Sequence, residues 1–111
     1  MNSTKVAVPG CNKTTVQEIL NDNDVHILKV DVAPGGEIPL HYHNCAATMV
    51  IIKGEASAIG KKRKTVSKGD VVIKQSEEPH GFTDIKEPFC FISISSGKGI
   101  YQDKDWDMKY L

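Results

Sequence analysis

The chain has 111 residues, 40% of them hydrophobic and 25% charged, the proportions of one soluble globular domain with room for a single core. Its 14 Lys and Arg balance 14 Asp and Glu, so the formal net charge is zero and the whole chain makes no electrostatic case for nucleic acid or for an anionic membrane. The opening MNSTKVAVPG has no continuous apolar segment, which argues against a secretory leader or a membrane span. Three cysteines (Cys11, Cys45 and Cys90) lack paired spacing, which argues against a disulfide framework and leads to the expectation of a reducing, cytoplasmic setting.

In chain order, Thr4 to Val8 reads as a short strand within an N-terminal arm, 1–24, and Thr15 to Asn21 (TVQEILN) as one helical turn or an edge strand. Val25 to Ala33 (VHILKVDVA) alternates, with Leu28, Val30 and Val32 on one face and His26 sharing their parity. Pro34-Gly35-Gly36 is a strong turn signal. Ile38 to His43 is extended, and Thr48 to Lys53 is β-rich and stops at Gly54. Glu55 to Ile59 and Lys64 to Val66 flank the basic run Lys61-Lys62-Arg63-Lys64, which reads as a solvated hairpin turn. After Lys68-Gly69-Asp70 come Val71 to Lys74, Gly81 to Ile85 and Phe89 to Ser95 (FCFISIS). The tail, 96–111, offers one more edge strand or helical turn from Asp103, and its Tyr101 and Trp106 are placed to close the barrel or to meet a partner. About eight short strands at close spacing predict an all-β sandwich or barrel in one domain, 1–111.

His41 and His43 lie two apart, so on a strand both imidazoles share a face. His80 is distant in sequence, as ligands gathered inside a barrel are. Spacing alone leaves two readings open, half-buried strand histidines or a metal site of three imidazoles. Cys45 has the parity of both histidines and is expected to face the same cavity. It would serve there either as a thiolate ligand suited to zinc or as a small buried residue at the barrel mouth. His26 is expected near the site as a hydrogen-bonding neighbour of a ligand or as a substrate contact. Met49, Ile51 and Phe82 are expected to line an apolar pocket, and Cys90, between Phe89 and Phe91, to lie in the core or the cavity wall.

Gly35, then His41-Tyr42-His43, then Gly54 resembles the first motif of the cupins, G(x)5HxH(x)3–4E(x)6G. Gly69-Asp70-Val71-Val72-Ile73 with Pro79-His80-Gly81-Phe82 resembles the second, G(x)5PxG(x)2H(x)3N. The likeness runs over about 25–95. It implies a jelly-roll barrel of two antiparallel sheets, a divalent metal held by His41, His43 and His80, a small-molecule ligand or substrate, and a homodimer in which Thr4 to Val8 is available to extend a partner's edge. The departures carry information too. Ala47 stands where the family has its glutamate, Thr48 is the alternative spacing, Gln75 and Glu77 replace the proline and glycine of the second motif, and Asp84 replaces its asparagine. Glu78 and Pro79 are left to build that turn, with Glu77 and Glu78 expected to face solvent.

Without the acid, the pattern is similar to that of three-histidine thiol and diketone-cleaving dioxygenases. The implied function is an Fe(II)-type dioxygenase acting on a small anionic, chelating metabolite, with iron ahead of zinc, nickel or manganese. The alternatives are a binding module without turnover, or a metal-dependent isomerase or lyase acting on a sugar acid. Arg63, in the basic turn, is the only arginine, so none is expected in the cavity.

Overall fold

The structure is a computed structural model and describes residues 4–22, 24–96, 100–102 and 105–111. Twelve strands follow one another: β1 (Val6–Ala7), β2 (Asn12–Asn21), β3 (Val25–Tyr42), β4 (Ala47–Lys53), β5 (Glu55–Gly60), β6 (Lys64–Ser67), β7 (Val71–Lys74), β8 (His80–Thr83), β9 (Phe89–Ser96), β10 (Tyr101–Gln102), β11 (Asp105–Trp106) and β12 (Lys109–Tyr110). No helix occurs among the described residues, and none is long and apolar enough to cross a membrane.

Pairing is antiparallel throughout. The first layer runs β1-β2-β3-β9-β4-β7 and the second β12-β3-β8-β5-β6, with β3 in both. Residues 25–32 of β3 pair with β9 on one side and largely with β2 on the other, whereas Ile38 and His41 pair with Phe82 and His80 of β8. The expected division of this segment into two strands at Pro34-Gly35-Gly36 is therefore corrected: it is one 18-residue strand with a corner. Gly35 takes φ +82° there and donates its N–H to Ile85 O at 2.8 Å. That conformation costs glycine little and an L side chain considerably more.

Other expectations change in detail. Of the two readings of Thr15 to Asn21, the strand holds over the helical turn: it belongs to ten-residue β2, which pairs edge to edge with β3 while the alternating residues Thr14 and Val16 turn into the interior. The N-terminal strand pairs within its own chain, Val6 with Val16 and Ala7 with Thr15. In the tail, Asp103 and Lys104 lie outside the described residues. The rest forms the β10–β11 hairpin and β12, which adds to β3 beside Tyr42 and His41. The basic run is an exposed hairpin turn, as expected. Arg63 from it pairs with Asp84, whose φ of 58° is one that Asp and Asn tolerate.

Strand alternation fills the interior with Leu28, Val30, Val32, Ile38, Met49, Ile51, Phe82, Phe89 and Phe91, all under 10% exposed. Phe82 of the second layer meets Phe89 and Phe91 of the first, with ring centroids 5.3 and 5.1 Å away, so these three rings join the two layers.

Candidate metal centre

The corner in β3 and the register of β8 decide where the histidines fall. His41 is paired directly with His80 across the β3–β8 ladder, and the two ring centroids are 4.4 Å apart. His43 lies just beyond the end of β3, 4.7 Å from the His41 ring and 4.9 Å from that of His80. All three side chains are buried, at 3–4% exposure, and a potential ligand atom from each lies within 4.8 Å of the others. Such a cluster can hold one divalent ion.

Each ring is turned by its other nitrogen. Nδ1 of His41 donates to Pro39 O at 2.7 Å, Nδ1 of His80 to Glu78 O at 2.9 Å, and Nδ1 of His43 to Asp107 O at 2.5 Å. A carbonyl oxygen only accepts, so each Nδ1 carries the proton and each neutral ring keeps a lone pair on Nε2. The Nε2 atoms of His41 and His43 stand 3.2 Å apart, two acceptors facing each other with no hydrogen between them. A cation about 2.1 Å from both would subtend roughly 100°, between tetrahedral and octahedral geometry. Burial is the chief cause holding all three rings neutral: it lowers the pKa of His41 to about 3, with nearby His80 adding to the effect, and that of His80 to about 4, and it also lowers that of His43.

The backbone around the site is fastened to it. Glu77 N donates to His43 O at 2.7 Å and Ser76 Oγ to Asn44 O at 2.9 Å, tying the turn before His80 to the bend after His43. Glu77 sits at φ 65° where the family has glycine, and it is exposed as expected. Glu78 is not simply solvent-facing: its carboxylate accepts from Gln75 N at 3.0 Å and pairs with Lys74 at 3.5 Å, closing the turn.

Beside the histidines is a narrow cavity of about 40 Å³. Met49 and Phe82 line it, whereas Ile51, expected with them, packs in the core away from the lining. Ser93 and Thr14 contribute hydroxyls, and the hydroxyl of Ser93 is buried without a hydrogen-bond partner among the described residues. The terminal segments close the mouth with Val8, Cys11, Ile100, Trp106 and Met108. Tyr110 clasps the two together, because its hydroxyl donates to Pro9 O and lies 3.2 Å from Cys11 Sγ. Sequence reasoning gave Cys11 no role. Trp106 and Met108 alternate with Asp107, a two-residue period that points to a strand with one inward face.

The remaining sequence candidates stand apart from the cavity lining. His26 is fully buried, but it bonds to Glu18 Oε2 on β2 at 3.0 Å. Cys45 is half-buried in the bend 43–46, where alternation is interrupted; burial and then nearby Asp107 raise its pKa, favouring the thiol, and it is not part of the three-histidine group. Cys90 lies beside Asp31 on the face of β9 opposite to Phe89 and Phe91, with its pKa raised to about 11, chiefly by burial. Ala47 opens β4 at 3% exposure and offers no oxygen, and the room expected beside it is not part of the cavity, which is lined instead by Met49.

Residues 28–95 match the model of the cupin domain family. The chain is a cupin. A search of curated proteins finds no match. Among solved structures, this cupin resembles a cupin-2 domain protein of Rhodospirillum rubrum at TM-score 0.81 and 20% identity, over 98% of this chain and 75% of that one. It also resembles the polyketide cyclase RemF of Streptomyces resistomycificus, at 0.78 and 16%, over 99% and 80%. A third similar structure is the DMSP lyase DddQ of Ruegeria pomeroyi, at 0.65 and 23%, where the match spans 68% of this chain and 40% of the lyase. At these identities the likenesses establish the fold.

Proposed function

We propose that this cupin binds one divalent transition-metal ion, iron in preference to zinc, nickel or manganese, through Nε2 of His41, His43 and His80, and acts on a small molecule as an oxygenase. The observation that carries the reading is the shared orientation of the rings. All three Nδ1–H groups are committed to backbone carbonyls, so three lone pairs are left facing one another in a buried space. A neutral donor set leaves the full charge of a divalent ion for the ligand and leaves coordination positions open; the ion would supply Lewis acidity and access to oxygen chemistry.

The lining residues narrow the substrate. No Lys, Arg, Asp or Glu lines the cavity among the described residues. A ligand charge would therefore be balanced at the histidine cluster itself, by a chelating anionic end, while the body of the molecule meets Leu28, Met49, Phe82 and Phe91. Ser93 supplies a hydroxyl to orient a second polar atom. The absence of a lining carboxylate or lysine also disfavours proton-transfer chemistry, the requirement of an isomerase or lyase.

A second reading, binding without turnover, is favoured by the cavity's size. A volume of about 40 Å³ holds little more than one or two waters, whereas small-molecule pockets usually run to about 300 Å³ and more. Catalysis on anything larger requires the terminal segments to part. Oxygen uptake by iron-loaded protein, followed across a panel of small chelating acids, thiols and diketones with His80→Ala as control, separates the two. Metal-dependent uptake with product formation supports the oxygenase. A ligand that binds and is recovered unchanged supports the binding module.

A further inference from the structure

The three histidines are oriented in two different ways. Nδ1 of His41 and Nδ1 of His80 each reach a carbonyl two residues back in the chain, Pro39 O and Glu78 O. Nδ1 of His43 reaches Asp107 O, 64 residues away in the C-terminal segment. Asp107 holds the same stretch a second time, because its carboxylate Oδ2 accepts from Asn44 N at 2.8 Å. One residue therefore grips both the ring of His43 and the backbone that follows it.

Residues 106–111 also help to shut the cavity. Trp106 and Met108, flanking Asp107, line it, and Asp107 N donates at 2.7 Å to the carbonyl of Ile100, another mouth residue. Beyond them β12 pairs Lys109 with Tyr42 and Tyr110 with His41. Leu111 N donates to Leu40 O at 3.1 Å, and the Tyr110 hydroxyl donates to Pro9 O. Lys109, Tyr110 and Leu111 are all exposed, so these fastenings lie at the surface. Edges of this kind open locally at far less cost than a core.

We propose that Asp107 is a positioning residue for His43, and that through it metal binding and closure of the mouth favour each other. The inference rests on the metal reading above. With the segment closed, Asp107 O turns the Nε2 lone pair of His43 toward the other two rings. With the segment parted, the His43 ring is free to rotate, while His41 and His80 keep their own carbonyls. A ligand larger than the closed cavity of about 40 Å³ must part the mouth to enter. Admission and firm binding by three histidines therefore oppose each other until the segment returns. The linkage is reciprocal: whatever factor closure adds to metal affinity, the metal adds to closure.

Zinc titration of the full chain, with amide hydrogen exchange followed by NMR on the same samples, tests this. Asp107→Ala keeps the carbonyl but loses its anchor on Asn44, and should lower zinc affinity on the order of 10-fold. Asp107→Asn, whose amide oxygen still accepts from Asn44 N, should recover most of that loss. Tyr110→Phe keeps the ring beside His41 but releases Pro9 O, and should lower affinity about threefold. In wild type, zinc should slow exchange at the amides of Asp107 and Leu111 about tenfold. The amide of Gly69, bonded to Ile51 O in the turn between β6 and β7, should be unaffected. Zinc-loaded protein with unaltered exchange at Asp107 and Leu111 overturns the coupling and leaves the metal reading standing, as does equal slowing at Gly69. Wild-type affinity in Asp107→Ala overturns the positioning role. Equal losses in the Ala and Asn variants do so too, since charge rather than the grip would then be responsible. Protein that binds no zinc overturns both the coupling and the metal reading.

Discussion

One strand step separates two very different parts of the barrel interior. Phe82 and His80 lie two apart on β8 and both point inward, yet Phe82 joins a cluster of three aromatic rings while His80 joins a cluster of three imidazoles. The aromatic level is complete in itself, since its rings have no polar atom to satisfy. The imidazole level is incomplete: each Nδ1 has a carbonyl, but the Nε2 lone pairs are left to each other. Identical backbone geometry therefore yields a core at one level and a site awaiting a cation at the next, and the difference lies wholly in side-chain chemistry.

The largest break in this comparison is expected from Phe82→Ala. Removing a ring that joins the layers should cost about 3–5 kcal/mol in denaturant unfolding of the metal-free protein, a large part of the roughly 5–15 kcal/mol a domain possesses. His80→Ala should behave oppositely. It removes one of three mutually unfavourable lone pairs, so metal-free stability should fall by about 2 kcal/mol or less, whereas the gain from metal, about 2.7 kcal/mol in wild type at a hundred times the dissociation constant, should vanish. Equal losses in the two metal-free variants would erase the distinction drawn here.

Acid sharpens the same contrast. The folded pKa values, about 3 for His41 and about 4 for His80, lie below the ordinary 6.5. Between those values the unfolded chain binds protons that the native protein refuses, so stability is full above about pH 6.5 and falls as pH drops toward about 4. Thermal melts of metal-free protein at pH 7.5, 5.5 and 4.5 check this, and a melting temperature that holds or rises at pH 5.5 would count against neutral, buried rings. The smallest effect is expected from Cys45→Ser: stability within about 0.5 kcal/mol of wild type and unchanged metal content, because the thiol stands outside the imidazole group.

What the sequence made legible was local. Parity along β3, β4 and β8 brought His41, Met49 and Phe82 to the cavity, and Cys90, one off the parity of Phe89 and Phe91, is buried at 3% exposure, as expected of a core residue, but away from the cavity lining. Parity failed for Cys45 because the chain leaves strand geometry after Tyr42 and resumes it only at Ala47. The continuity of β3 was hidden by Pro34-Gly35-Gly36, a turn signal that tertiary pairing with two different layers converts into a corner. His26 carried the right parity but lies far along β3 from His41, where Glu18 is its partner. The carbonyls that orient the rings, above all Asp107 O, leave no residue-type signature, since any residue at position 107 would offer one.

X-ray absorption at the metal edge of untagged protein, with elemental analysis of the same sample, tests the central claim most directly. The account predicts about one transition-metal ion per chain with a shell of nitrogen or oxygen donors at about 2.0–2.2 Å, imidazole scattering beyond it, and loss of the ion in His80→Ala. Protein that takes up no stoichiometric metal, or a shell containing sulfur at about 2.3 Å, would contradict it.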